Sequence, residues 1–88
     1  MPGHVYAGTK IITSSGGEAR LFTPDEFESE FGREFSASMD YIGVMNADGT
    51  ANGGYLTTAY YSSASRNLWV NGGSDGLLRV NYIVFLAD

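Results

Sequence analysis

The side chains that could do chemistry in this chain are few. Ser62, Ser63 and Ser65 supply hydroxyls, but a nucleophilic hydroxyl needs a base and a third group to orient that base. The one histidine, His4, lies at the start of the chain, and there is no cysteine. The acids Asp25, Glu26, Glu28, Glu30, Glu34 and Asp40 fall in one short stretch. Paired carboxylates cleave glycosides when they face each other across a deep cleft. Here most of them crowd along one predicted helix, and the expectation is a solvated helix face. Asn46-x-Asp48-Gly49-x-x-Asn52 has the oxygen types of a calcium loop but not its closing bidentate Glu. Asp48-Gly49 reads more simply as a hairpin turn. Lacking Cys and with a single His, the chain has none of the usual zinc patterns, so no metal and no cofactor are expected. The glycines fall in turns rather than between a strand and a helix, where they could cradle phosphate. The sequence points away from an enzyme.

Tyr60, Tyr61, Arg66, Trp69 and Asn71 form a set better suited to binding. They occupy two neighbouring predicted strands and the turn between them. Aromatic rings can cover the apolar face of a sugar while Asn and Arg hold its hydroxyls, the mix of apolar lining and few polar anchors found in ligand sites. Tyr60 and Tyr61 must point to opposite faces of their strand, so one of them belongs to the core. Trp69 also competes for a place in the core.

The elements that position this set are short strands. The chain has 12 glycines and 14% aromatic residues, a pairing of turn formers with strand formers. Residues 5–13 (VYAGTKIIT) read as a strand interrupted by Gly8, and a glycine inside a strand marks a bulge or a close approach. Ser14-Ser15-Gly16-Gly17 turns the chain into a return strand over residues 18–22. The period then changes. Thr23-Pro24-Asp25-Glu26 carries an N-cap, a proline at the first helical position and a Thr-x-x-Glu capping box. Phe27 and Phe31 share a face, Gly32 can close the helix, and Phe35 extends the aromatic cluster. Strands are expected over residues 40–45, 55–62, 68–71 and 76–88. The fold class is therefore mainly β: a small antiparallel β-sandwich of about six strands, with one short helix near residues 24–31. It forms a single domain, 1–88, behind a loose leader at 1–4.

A net charge of −5 argues against nucleic acid as a partner. No apolar run reaches membrane-spanning length, and the start lacks the basic and apolar regions of a secretory signal, so no membrane insertion is expected. A domain of 88 residues buries only about 60–65% of its unfolded surface and is marginal by itself. Without disulfides or metal, oligomerisation is the remaining stabiliser. The final strand supports this. Leu78, Val80, Tyr82, Val84 and Leu86 fall on one face. Arg79, Asn81, Ile83 and Phe85 fall on the other, which turns apolar in its second half. A strand with two apolar faces needs cover on both, and Ile83 and Phe85 are expected at a subunit interface.

From residue 40 onward, DYIGVMNADG, the Tyr/Thr-rich strand, LWVNGG and the closing LRVNYIVF resemble the terminal domains of bacteriophage tail fibres and minor tail proteins. The order of elements is also similar in outline to the H-type lectin module. That resemblance implies a homotrimeric β-sandwich that binds a host-surface glycan or another receptor, in the virion tail or outside the cell, after assembly in the host cytoplasm. The helix near residues 24–31 is not part of the simple lectin module, and the lectin's sugar-contacting residues do not map one by one onto this chain. Two other readings share the fold: a structural trimerisation or decoration module without ligand, and a small bacterial lectin.

Overall fold

The computed structural model describes residues 3–46, 56–72 and 75–87. Six strands and one helix follow in the order β1 (His4–Ser15), β2 (Glu18–Phe22), α1 (Pro24–Phe31), β3 (Tyr41–Asn46), β4 (Leu56–Tyr61), β5 (Leu68–Gly72) and β6 (Gly76–Leu86). All pairings are antiparallel, and the strands run β3-β6-β1-β2-β5-β4 across one sheet. The sheet curls until its outer strands, β3 and β4, approach each other. The mainly β fold with a single short helix is as the sequence predicts.

The sheet bends at the β1–β2 hairpin. Only Ser14↔Ala19 and Ser15↔Glu18 pair across it, so β3-β6-β1 and β2-β5-β4 form two three-stranded layers. Their inward faces meet in one core. Ile12, Leu78, Val80, Val84 and Leu86 come from the first layer, and Ala19, Leu21, Phe22, Leu68 and Val70 from the second. The period-2 alternation of β6 is clean: Leu78, Val80, Val84 and Leu86 are buried, while Arg79, Ile83 and Phe85 are exposed. β1 begins at His4, one residue before the expected start, and pairs with β6 from His4↔Leu86 to Ser14↔Gly76. Gly8 lies opposite Tyr82. A β-carbon at Gly8 would stand 2.5 Å from the Tyr82 hydroxyl, so the glycine makes room for the ring to lie across β1.

The helix starts and stops where its residues dictate. Thr23 Oγ1 accepts from the Glu26 amide at 3.0 Å, and Glu26 Oε1 accepts from the Thr23 amide at 2.8 Å. Gly32 closes the helix in the left-handed region at φ 93°. The apolar side of α1 covers the end of the core through an aromatic cluster. Phe22 meets Phe27, Phe31 and Tyr82 edge-on at 5.4–5.6 Å. Phe27 meets Phe35 at 5.6 Å, and Phe31 meets Tyr6 at 5.2 Å. Each such ring pair contributes about 0.5–1.5 kcal/mol beyond its buried area.

Asp40 departs from the expected solvated acid stretch. Its side chain is fully buried. It accepts from Arg33 through both guanidinium nitrogens at 2.7 and 2.8 Å, from the Ser36 amide at 2.7 Å and from the Ala87 amide at 2.9 Å. Arg33 also donates to the Ala87 carbonyl at 2.7 Å. This cluster fastens the segment after α1 to the start of β3 and to the residue following β6. Burial favours the neutral acid, but the Arg33 fork and the two amides outweigh it and hold the Asp40 carboxyl below its ordinary value.

A carboxyl with a depressed folded pKa adds stability that is present above its unfolded value and lost as pH falls through the folded one. Asp40→Asn is therefore expected to cost about 2–3 kcal/mol at neutral pH. The gap from the unsubstituted protein should narrow below about pH 4. Urea unfolding at pH 7 and pH 3 measures both, and equal stability at pH 7 would show that the cluster is dispensable.

Candidate functional site

The outer face of the β2-β5-β4 layer carries the aromatic platform. Leu68 and Val70 point into the core, so Trp69 and Asn71 point outward, as do Glu18 and Arg20 on β2 between and beside buried Ala19 and Leu21. Cross-strand partners share a face. Arg20↔Trp69↔Tyr60 form one row across the layer, and Glu18↔Asn71 form part of the next. Tyr60 is exposed and Trp69 half-buried. The Tyr60 hydroxyl donates to Glu18 Oε2 at 2.6 Å, which ties the ring to β2. This hydrogen bond to the carboxylate is the main reason the Tyr60 phenol lies above its ordinary value. Two rings, a carboxylate, a guanidinium and a carboxamide thus share one exposed face.

Of the five residues expected to bind ligand, the fold brings Tyr60, Trp69 and Asn71 together. Tyr61 lies on the inward side, packed against Phe35 at 5.6 Å. Arg66 sits in the β4–β5 turn at φ 62° and forms an ion pair with Glu34 at 2.7 Å. The space beside Tyr61 and Arg66 amounts to about 10 Å³, too little for more than a water. Glu18 and Arg20 complete the platform and were not singled out from sequence. The signal that finds them is the hairpin register, since a two-residue Gly-Gly turn fixes the faces of both strands.

The other layer is apolar over one half of its outer side, beside the end of β6. Ile83 and Phe85, expected at an interface, are 39% and 44% exposed in the single chain. They do not stand alone. Val5↔Phe85↔Tyr41 and Ala7↔Ile83↔Gly43 are successive rows on that face, with Met45 in the next. Val5 is 57%, Tyr41 72% and Met45 62% exposed.

Asp25, Glu26, Glu28, Glu30 and Glu34 are exposed, as a solvated helix face requires. The sequence resembling a calcium loop, from Asp48 to Asn52, lies outside the described residues. Among the described residues there is no group of three His, Cys, Asp or Glu side chains that could hold a metal, and no helix long and apolar enough to cross a membrane. No family model, curated protein or solved structure matches this chain.

The link between Tyr60 and Glu18 is directly measurable. Glu18→Gln should return the Tyr60 phenol toward its ordinary titration range while the circular dichroism spectrum stays unchanged. Carbon-13 titration of the tyrosine ring resonances reads this, and an unmoved Tyr60 midpoint would rule the contact out.

Proposed function

We propose that this chain is a non-enzymatic, carbohydrate-binding receptor-recognition module that acts as a homotrimer, in the manner of the tip domain of a phage tail or tail fibre. The observation that carries the reading is the division of labour between the two layers. One outer face presents Tyr60 and Trp69 with Glu18, Arg20 and Asn71 around them. The other presents Val5, Tyr41, Met45, Ile83 and Phe85 to solvent. Covering the apolar face with sister copies removes that surface from water at about 25 cal/mol per Å² and leaves the aromatic faces turned outward. Several weak sugar contacts then act together, and avidity exceeds the affinity of one site without any new contact. The polar groups around the rings suit hydroxyl-rich ligands, because each can donate to or accept from a sugar hydroxyl. The resemblance of the second half of the chain to phage tail tips supports placement in a virion tail or outside the cell.

A glycan array tests recognition. Trp69→Ala should reduce array binding by about tenfold or more while the fold survives, since a ring–ligand contact of this kind is worth about 1–2 kcal/mol. A blank array from a well-folded trimer would instead favour a structural trimerisation or decoration module.

Light scattering coupled to size exclusion tests assembly. Phe85→Asp should give monomer or insoluble protein, because a buried unpaired carboxylate costs several kcal/mol. A soluble trimer of that variant would count against the proposed interface.

A further inference from the structure

Every residue of β1 from His4 to Ser14 has a partner on β6, yet β2 takes up only Ser14 and Ser15. The connecting turn has two glycines at φ 68° and 85°, the type I′ hairpin loop whose flanking residues exchange both ladder bonds. Ser15 therefore directs its N–H and C=O toward β2. By the alternation of an antiparallel ladder, so do Thr13, Ile11, Thr9, Ala7 and Val5. Val5, Ala7, Thr9 and Ile11 have no ladder partner on that side among the described residues, and all are exposed. β1 thus keeps an open edge within the body of the fold.

A cleft of about 520 Å³ separates this edge from α1, lined by Thr9, Lys10, Phe22, Asp25, Glu26 and Glu30. Lys10 reaches across it. Its ammonium lies 4.2 Å from the centre of the Phe22 ring, donates to the Leu21 carbonyl and stands 3.4 Å from Glu26 Oε1. A ring face, a carbonyl and a carboxylate already hold one cation here. Asp25 and Glu30 have no ion-pair partner among the described residues. The wall facing the open edge has an excess of negative charge.

We infer that the free edge of β1 is a strand-addition site for an extended basic peptide segment of a partner protein. Main-chain pairing supplies the affinity in this mode, and alternate side chains supply selectivity. Residues of the added strand on the outer side would lie beside Val5 and Ile11, which are 57% and 61% exposed, and are apolar. Those on the inner side would face Asp25, Glu26 and Glu30, and are Lys or Arg. The partner strand therefore alternates basic and apolar residues. A second copy of this chain is disfavoured at the edge, because pairing β1 with itself brings two acidic walls together on chains of net charge −5.

A capped peptide of sequence Lys-Val-Lys-Val-Lys-Val is the probe, and residue-resolved amide hydrogen exchange is the readout. Addition of the peptide should slow exchange at Val5, Ala7, Thr9 and Ile11 by about tenfold or more, with binding that weakens as salt rises. The matching Glu-Val peptide should have no effect. Nor should the Lys-Val peptide methylated on the amides that pair, which keeps the charge and loses the donors. Asp25→Asn with Glu30→Gln leaves the capping box intact and should weaken binding by about tenfold, or about threefold for each partly exposed charge lost. The inference is overturned by no binding at millimolar peptide or by equal binding of the methylated peptide. Protection confined to other segments also overturns it. So does protection of these amides without peptide that grows with protein concentration, since that outcome assigns the edge to a second copy.

Discussion

Pairing β1 with β6 from His4↔Leu86 to Ser14↔Gly76 decides which side of the first layer every residue occupies. A slip of one residue would send Ile12 outward and Ile11 inward, and would exchange the whole apolar set between core and solvent. The register seen here places Ile12, Leu78, Val80, Val84 and Leu86 in the core. It also commits Val5, Ile83 and Phe85 to the outside. Among the described residues, one layer of strands lies against the inner face and nothing of comparable size lies against the outer one. The apolar exterior follows from the same alternation that builds the core.

The helix and the segment after it are held by different means. α1 is fixed by a reciprocal cap and by rings packed edge-on, which need no polar partner. The Asp40 cluster, by contrast, depends on charge. A carboxylate removed from water is tolerable because four donated hydrogen bonds reach it, two from Arg33 and one each from the amides of Ser36 and Ala87. Lys10 does a related job at the open side of the hairpin, where its ammonium reaches the Leu21 carbonyl in place of a strand–strand bond.

Local features were readable from sequence and distant pairings were not. Helix α1 has the bounds its cap residues imply, because the Thr23–Glu26 box and Gly32 act within one turn of the chain. Strand β2 and the Gly16-Gly17 turn are likewise set by neighbours. Asp40 looked like one more surface acid because its partners lie seven residues back at Arg33 and 47 residues on at Ala87, beside it only once β3 and β6 pair. The Glu18–Tyr60 bond spans 42 positions and needs the order β2-β5-β4 to be known first. Phe22 is buried although simple alternation from Arg20 would turn it outward. The irregularity between Arg20 and Phe22 in the pairing with β5 re-aims it. Of the proposed binding set, Trp69 and Asn71 could be grouped by strand parity alone, whereas choosing Tyr60 over Tyr61 and setting Arg66 apart required the β4–β5 register and the packing of Phe35 and Glu34.

Strand β6 is the last of the six in chain order, yet it lies between β3 and β1. During synthesis the first layer lacks its middle strand until β6 leaves the ribosome. Among the described strands, β3 and all of β1 before its hairpin end lack a native ladder partner in that interval, while the hairpin and the capped helix can form early. Contacts this remote in sequence make for slow folding, and unpaired apolar strands invite association between nascent chains. The growing polypeptide is then most vulnerable just before β6 emerges, when a molecular chaperone that shields extended apolar segments would matter most.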